Sequence, residues 1–367
     1  MTMYFCSCCQ ALYPETGLPH RCPVCGGLYE SDACPVLSPL TFSSAMPSFW
    51  DFGSTFDLFP GALPVTLGEG RTPLAWTDWQ GHAVGLKLEY LNPTGSYKDR
   101  GTAVTVSQLQ ARGVDFAVED SSGNAGASFA AYAARAGMRA RVYVPASASG
   151  PKLRQIAACG AEVRRIPGPR SEAARAVLED VQAGAVYASH AFLPFSLPGI
   201  ATLAYELFYQ LGSRVPGTIV SPVGHGGLLA GTMRGFAALQ ANGLTSRQPY
   251  WVGVQAAACA PFVHAWRNNL AEAIEAGDRP TLAEGVRVRT PSRAAELLAL
   301  ARQGKGVFIP VEENSLVQAH IDLARRGFFV EPTSALVWAI LPEIFGKVPD
   351  PVVLLLTGSG LKSLPQF

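Results

Sequence analysis

The chain has 367 residues, 48% of them hydrophobic and 16% charged, and its 29 basic against 28 acidic side chains leave a net charge of +1. At roughly 150 residues per domain the length accommodates two domains and a remainder. A chain this apolar and this neutral is not disordered, and it lacks the basic footprint of a nucleic-acid binder. The longest apolar stretch, residues 125–134, is far too short for a membrane span. With no basic-then-apolar segment at its start, the chain is expected in the cytoplasm.

Five of the eight cysteines, Cys6, Cys8, Cys9, Cys22 and Cys25, fall at the beginning of the chain. Clustering at one end of a long chain speaks for a reducing compartment and against a disulfide framework. Cys6-x2-Cys9, twelve residues, then Cys22-x2-Cys25 is the paired-knuckle spacing of a zinc ribbon. Each CxxC places two thiolates on a tight turn, and two such turns complete a tetrahedral site. Residues 1–35 are therefore expected to form a ribbon-like segment in which Cys6, Cys9, Cys22 and Cys25 hold a structural zinc, with Cys8 and Cys34 as alternative ligands. Residues 36–60, with Pro39, Pro47, Pro60 and several serines, read as a linker.

The elements then follow in order. Residues 76–79 and 83–90 flank Gln80-Gly81 as the arms of a hairpin. A helix is predicted over 98–112, stopped by Gly113. Strand 116–119 runs into the turn 121–124 and helix 125–136. Strand 140–144, helix 152–159, strand 162–166 and helix 171–182 continue the alternation. Helix 200–211, strand 218–221, a glycine loop at 224–227 and helix 228–240 follow. Strand 251–255, helix 294–302, strand 306–311, helix 313–326 and helix 333–345 precede a last strand at 352–356 and a final glycine loop. This alternation predicts an α/β protein with parallel-type sheets covered on both faces.

In open α/β sheets, ligands bind beyond the carboxyl ends of strands. The turns Ser121-Ser122-Gly123-Asn124, Gly224-His225-Gly226-Gly227 and Thr357-Gly358-Ser359-Gly360 are therefore the expected walls of the site. A further segment, Asn92-Pro93-Thr94-Gly95-Ser96-Tyr97-Lys98-Asp99-Arg100-Gly101, sets a lysine at a helix start, where the helix dipole disfavours an ammonium. Such an amine suits attack on an aldehyde. The plainer alternative is a solvated lysine beside Asp99. His82, His190, His264 and His320 read as surface or satisfied core residues.

Together with Gly68-Glu69-Gly70-Arg71-Thr72-Pro73-Leu74, Ser121-Ser122-Gly123-Asn124-Ala125-Gly126-Ala127-Ser128 and Leu356-Thr357-Gly358-Ser359-Gly360-Leu361-Lys362, the lysine segment resembles the fold-type-II pyridoxal-phosphate enzymes, and among them the threonine synthase group. The resemblance runs over about residues 65–365. It implies the two-domain tryptophan-synthase-β-like fold, with residues 61–91 and 191–367 in a larger cofactor-binding domain and 92–190 in a smaller one. It implies that Lys98 holds pyridoxal phosphate as a Schiff base and carries protons, and that Asn124 bonds the ring hydroxyl. By the same resemblance, Ser121, Ser122, Gly123, Asn124 and Ala125 take the substrate carboxylate. Gly224, His225, Gly226 and Gly227 take the cofactor phosphate, and Thr357 faces the pyridine nitrogen. A hydroxyl there cannot hold that nitrogen protonated, which suits elimination and replacement better than transamination.

Three departures bear on the substrate. The Arg-x-Gly-Asn-Pro-type segment of threonine synthases has as its nearest counterpart Glu284-Gly285-Val286-Arg287-Val288-Arg289-Thr290-Pro291, which keeps the charge and lacks the Gly-Asn. His225-Gly226-Gly227-Leu228 is nearer to the dehydratase and cysteine-synthase style, and Ser359 stands where a histidine is common. The expected activity is conversion of O-phosphohomoserine and water to threonine and phosphate by a homodimer. The alternatives are a threonine or serine dehydratase, a cysteine- or cysteate-synthase-like β-replacement enzyme, and a non-catalytic cofactor-binding or ribbon adaptor protein.

Overall fold

The computed structural model describes residues 4–31, 47–273, 277 and 279–363. The chain divides into two compact units, residues 1–70 with 92–202 and residues 71–91 with 203–367. Cys34 and the first part of the expected linker, residues 36–46, lie outside the described residues. Among the described residues, no helix is long and apolar enough to cross a membrane.

The first unit is built on a four-stranded sheet in the order Glu162–Ile166, Arg139–Pro145, Phe116–Glu119, Val186–Tyr187, parallel at every pairing. Val118, Tyr143, Ala173, Val177 and Tyr187 form its core beneath helix Arg170–Gln182. The two-residue strand Val186–Tyr187 is absent from the sequence reading, because it is too short to show a period. Helix Lys98–Ala111 is buried on nearly every side. It meets helix Ser196–Gln210 through two glycines. A Cβ on Gly199 would lie 2.1 Å from the Arg100 carbonyl oxygen, and one on Gly101 would lie 2.9 Å from Ser196 Cβ.

Residues 61–70 and 191–202 group with this first unit, whereas the resemblance assigns them to the larger domain. The reason is local bonding. The Val65 N–H donates to Ser107 Oγ at 2.9 Å, and Glu69 accepts from Tyr132 Oη at 2.6 Å and Trp50 Nε1 at 2.7 Å. Part of the expected linker is also ordered here as a 3-10 helix, Phe49–Thr55, that buries Phe49 and Phe52.

The second unit carries a six-stranded sheet in the order Gly306–Val311, Tyr250–Ala256, Thr218–Pro222, Val352–Leu355, His82–Lys87, Leu74–Trp79. Only the outermost pairing is antiparallel, and it is the hairpin read from Gln80-Gly81, whose φ values of 51° and 86° are those of a tight hairpin turn. Leu86, Val220, Val252, Leu336 and Leu354 belong to one apolar core. Lys87 is fully buried and donates to Glu206 at 2.8 Å, to the Thr72 carbonyl at 2.6 Å and to Gln210 Oε1 at 3.0 Å. The helix expected over 333–345 is two helices, Pro332–Ala339 and Leu341–Ile344. Pro342, which lacks an N–H, sits in the first turn of the second. Helix Pro261–Arg267 is likewise absent from the sequence reading.

Candidate active site and metal centre

In the first unit, the turn before Lys98 is closed by the Gly95 N–H donating to the Asn92 carbonyl at 2.7 Å, with Gly95 at φ +85°. Asp99 points inward. Its carboxylate accepts from the Thr94 N–H at 2.7 Å, Thr94 Oγ1 at 2.6 Å and Ser128 Oγ at 2.7 Å. Lys98 is half-buried at the first position of its helix, its Nζ 4.8 Å from the centre of the Tyr97 ring, and no carboxylate among the described residues pairs with it. Two residues earlier, the buried Ser96 hydroxyl has no hydrogen-bond partner.

The turn 121–124 hangs from Glu119 at the end of its strand. The Glu119 carboxylate accepts the N–H groups of Asp120 and, at 2.8 Å, of Ser121. Ser121 Oγ accepts from the Gly123 N–H at 3.2 Å, and helix Asn124–Arg135 begins with Ala127 bonded back to Gly123. The N–H groups ahead of Ala127 point out of the helix end, which is a seat for an anion. Gly126 makes the turn possible: a Cβ there would stand 1.9 Å from the Ser121 carbonyl oxygen.

Behind the turn lies an acidic pair that sequence reasoning missed. Glu119 Oε1 is 3.4 Å from His190 Nδ1, and Asp120 Oδ1 accepts from Tyr187 Oη at 2.8 Å. Burial pushes both carboxyls up. Asp120, burdened also by the Glu119 charge and relieved by Arg170, rises to about 6. The fold therefore favours the protonated Asp120, and that contribution to stability fades as the pH rises from near 4 through 6.

In the second unit, strand Thr218–Pro222 ends in the glycine loop. Gly226 has φ +93°, and a Cβ on it would meet Leu297 at 2.9 Å, so glycine is required there. Gly227 opens helix Gly227–Ala241 and has nothing within 4 Å of its missing Cβ. A fifteen-residue helix that opens on Gly226 and Gly227, with open space at the missing Cβ of Gly227, can take a phosphate at its N-terminal amides. His225 is 3.4 Å from Ser292 Oγ, and its carbonyl accepts the Arg293 N–H at 3.2 Å. Arg293, buried against this loop, carries no sequence signal. The segment Glu284–Val286 lies on the same loop: a Cβ on Gly224 would be 3.1 Å from the Gly285 carbonyl oxygen. Thr357 is buried, with Oγ1 3.1 Å from Ser334 Oγ, which accepts the N–H groups of Thr357 and Gly358 at 3.0 and 2.9 Å. Ser334 does not stand out in the sequence, because nothing in 332–335 marks it.

The described cysteines of the ribbon fall as the spacing predicts. Strands Tyr4–Cys6 and Tyr29–Ser31 pair antiparallel, and the sulfurs of Cys6, Cys9, Cys22 and Cys25 all lie within 4.8 Å of one another. Turns closed by Gln10 N–H to Cys6 O and Gly26 N–H to Cys22 O shape the two knuckles. Gly27 leaves room for the convergence, since a Cβ there would be 2.8 Å from Cys6 Sγ. Cys8 is exposed and outside the cluster.

A family model described as pyridoxal-phosphate dependent enzyme matches residues 65–358, and the chain belongs to that family. The residues present fit the cofactor: an amine without a carboxylate partner, an unpartnered buried hydroxyl near it, and a glycine loop open at a helix start. Similar curated proteins are threonine synthases. That of Methanosarcina acetivorans is 32% identical over 99% of this chain and 93% of its own length, and that of Synechocystis sp. is 34% identical over 95% and 88%. Among solved structures, a T.th. threonine deaminase superposes with a TM-score of 0.70 at 28% identity, covering 81% of this chain and 94% of that one. Maize serine racemase, at 20% identity and a TM-score of 0.70, shares the fold over 79% and 88%.

Proposed function

We propose that this protein is a threonine synthase: it eliminates phosphate from the γ carbon of O-phosphohomoserine and adds water at the β carbon, giving threonine. The near full-length likeness to threonine synthases supports the class. The observation that supports the phosphorylated substrate is the seating of the 285–288 segment on Gly224, a segment in which Arg287 and Arg289 flank Val288. Two cations there suit a second anion besides the cofactor's own.

Pyridoxal phosphate, when bound, supplies an electron sink for negative charge at the substrate's α carbon. Lys98 holds it covalently through its amine and moves protons at the α and β carbons. The turn Ser121, Ser122, Gly123, Asn124 and Ala125 holds the α-carboxylate through the Ser121 hydroxyl and the N–H groups at the helix start, and the Asn124 amide bonds the ring hydroxyl. Gly224, His225, Gly226 and Gly227 present N–H groups to the cofactor phosphate. Thr357 offers the ring nitrogen a hydroxyl, braced by Ser334, and leaves it uncharged.

Purified enzyme assayed with O-phosphohomoserine, threonine, serine and phosphoserine, with phosphate and 2-oxo acid followed separately, is expected to give threonine and stoichiometric phosphate from the first alone. Oxo acid from threonine or serine as the main product would instead establish a dehydratase, the reading favoured by the His225-Gly226-Gly227 loop.

Cys6, Cys9, Cys22 and Cys25 hold a structural zinc. Four thiolates close the coordination sphere, so the metal takes no part in the reaction. Elemental analysis is expected to find one zinc per chain, and its removal by a chelator to melt the ribbon. Protein made in zinc-containing medium with no bound metal would refute this assignment. The enzyme works as a homodimer in the cytoplasm. The clustering of cysteines at one end of a long chain supports the compartment, and the family resemblance supports the dimer.

A further inference from the structure

Within the first unit, the ribbon packs on the stretch of chain that backs the 121–125 turn. The His20 ring stands edge-on to Tyr187, with centroids 5.2 Å apart at 73°, and to Phe192, at 5.9 Å and 62°. The Arg21 guanidinium lies 4.8 Å over the Phe192 ring. Tyr4 and Tyr13 hold Phe195 in the same way, at 5.3 and 5.5 Å. The ribbon thus grips both the start and the end of the segment 187–195.

Tyr187 faces two ways. Its ring meets His20, and its buried hydroxyl donates 2.8 Å to Asp120 Oδ1. Asp120 directly precedes Ser121, and both residues give their N–H groups to Glu119. From the ribbon to the turn there are only a ring contact, one hydrogen bond and one peptide link. The support is needed because strand Val186–Tyr187 is two residues long and pairs only with Phe116–Glu119 at the edge of its sheet. So short a ladder does not fix its own position, and outside packing must do so.

We propose that Tyr187 and Asp120 are positioning residues for the carboxylate-binding turn, and that the ribbon holds them in place through His20. The ribbon is then part of the support of the substrate site. This rests on the reading of residues 121–125 as the seat of the α-carboxylate.

The test uses the full-length, cofactor-loaded enzyme with O-phosphohomoserine, and hydrogen exchange over residues 116–128 as a readout that needs no turnover. Tyr187→Phe, which keeps the ring and removes the hydrogen bond, is expected to raise KM about tenfold while kcat stays within about twofold, and to speed exchange at the turn. His20→Ala is expected to raise KM several-fold, His20→Phe to restore it, and the double variant with Tyr187→Phe to be no worse than Tyr187→Phe alone. Ser121→Ala separates the two readings. If it raises KM while Tyr187→Phe leaves KM and exchange unchanged, the proposal is overturned and the turn's role stands. If Ser121→Ala leaves KM unchanged, the role of the turn falls and the proposal with it. A fall in kcat with loss of bound cofactor in Tyr187→Phe and His20→Ala alike would mark a general loss of fold and also overturn it.

Discussion

Lys98→Ala is expected to strip the yellow absorbance from the purified protein and to lower turnover at least about a thousandfold. The expectation follows from how the residues around Lys98 are used. Asp99, the obvious counter-ion, spends its carboxylate on Thr94 and Ser128. The amine is left at a helix start against the Tyr97 ring, where a cation gains nothing from the helix dipole. Lys98→Arg keeps the charge and loses the nucleophile, because a guanidinium does not deprotonate in proteins. It should be as inactive as the alanine variant. Lys98 is half-buried and makes no ion pair among the described residues, so the cofactor-free forms of variant and parent should melt at nearly the same temperature. Persistence of the absorbance in Lys98→Ala would overturn the cofactor assignment.

The largest effect on stability is expected from Lys87→Met. Lys87 and Glu206 are both without solvent exposure, and Glu206 also accepts the Arg71 N–H at 2.8 Å. Removing the ammonium leaves a buried carboxylate uncompensated, a loss of about 3–5 kcal/mol. At about 2–4 °C per kcal/mol for a domain of this size, melting should fall by on the order of 10 °C. Adding Glu206→Gln removes the stranded charge while keeping an acceptor for Arg71, and should recover much of the loss. A single variant that melts within a degree or two of the parent would sink this account. The pair joins the end of strand His82–Lys87 to helix Ser196–Gln210, so the deficit measures how firmly that strand is held to the helix.

The parts of the site that are legible in sequence are those where the backbone itself is unusual. Ser121–Gly126 and Gly224–Gly227 announce themselves because only glycine fits at Gly126 and Gly226, and such positions leave a mark in the letters. Lys98 is legible for the same reason, through the Pro-Thr-Gly-Ser turn ahead of it. Tyr187, Ser334 and Arg293 are not. Each is an ordinary residue in an ordinary context, and each acts through a partner far along the chain: Asp120, Thr357 and the 224–226 loop. The fold is readable wherever strand and helix differ in period. It is not readable at Val186–Tyr187, which is too short, nor at residue 340, where an apolar run conceals a break. The grouping of residues 61–70 and 191–202 depends on Glu69, Ser107 and Gly199, whose contacts no local pattern encodes.

Val352–Leu355, the last strand in chain order among the described residues, does not lie at the rim of its sheet. It sits between Thr218–Pro222 and the early hairpin strand His82–Lys87, pairing Val352 with Val84 and Leu354 with Leu86. A ribosome needs roughly 15 to 50 s to cover the distance between those partners at the usual rates of elongation. For that interval Val84 and Leu86, wholly buried in the finished protein, have no neighbour on one side. The nascent chain must be shielded until this strand emerges, and a stop codon ahead of residue 352 would remove the middle of the sheet and leave its two halves unjoined.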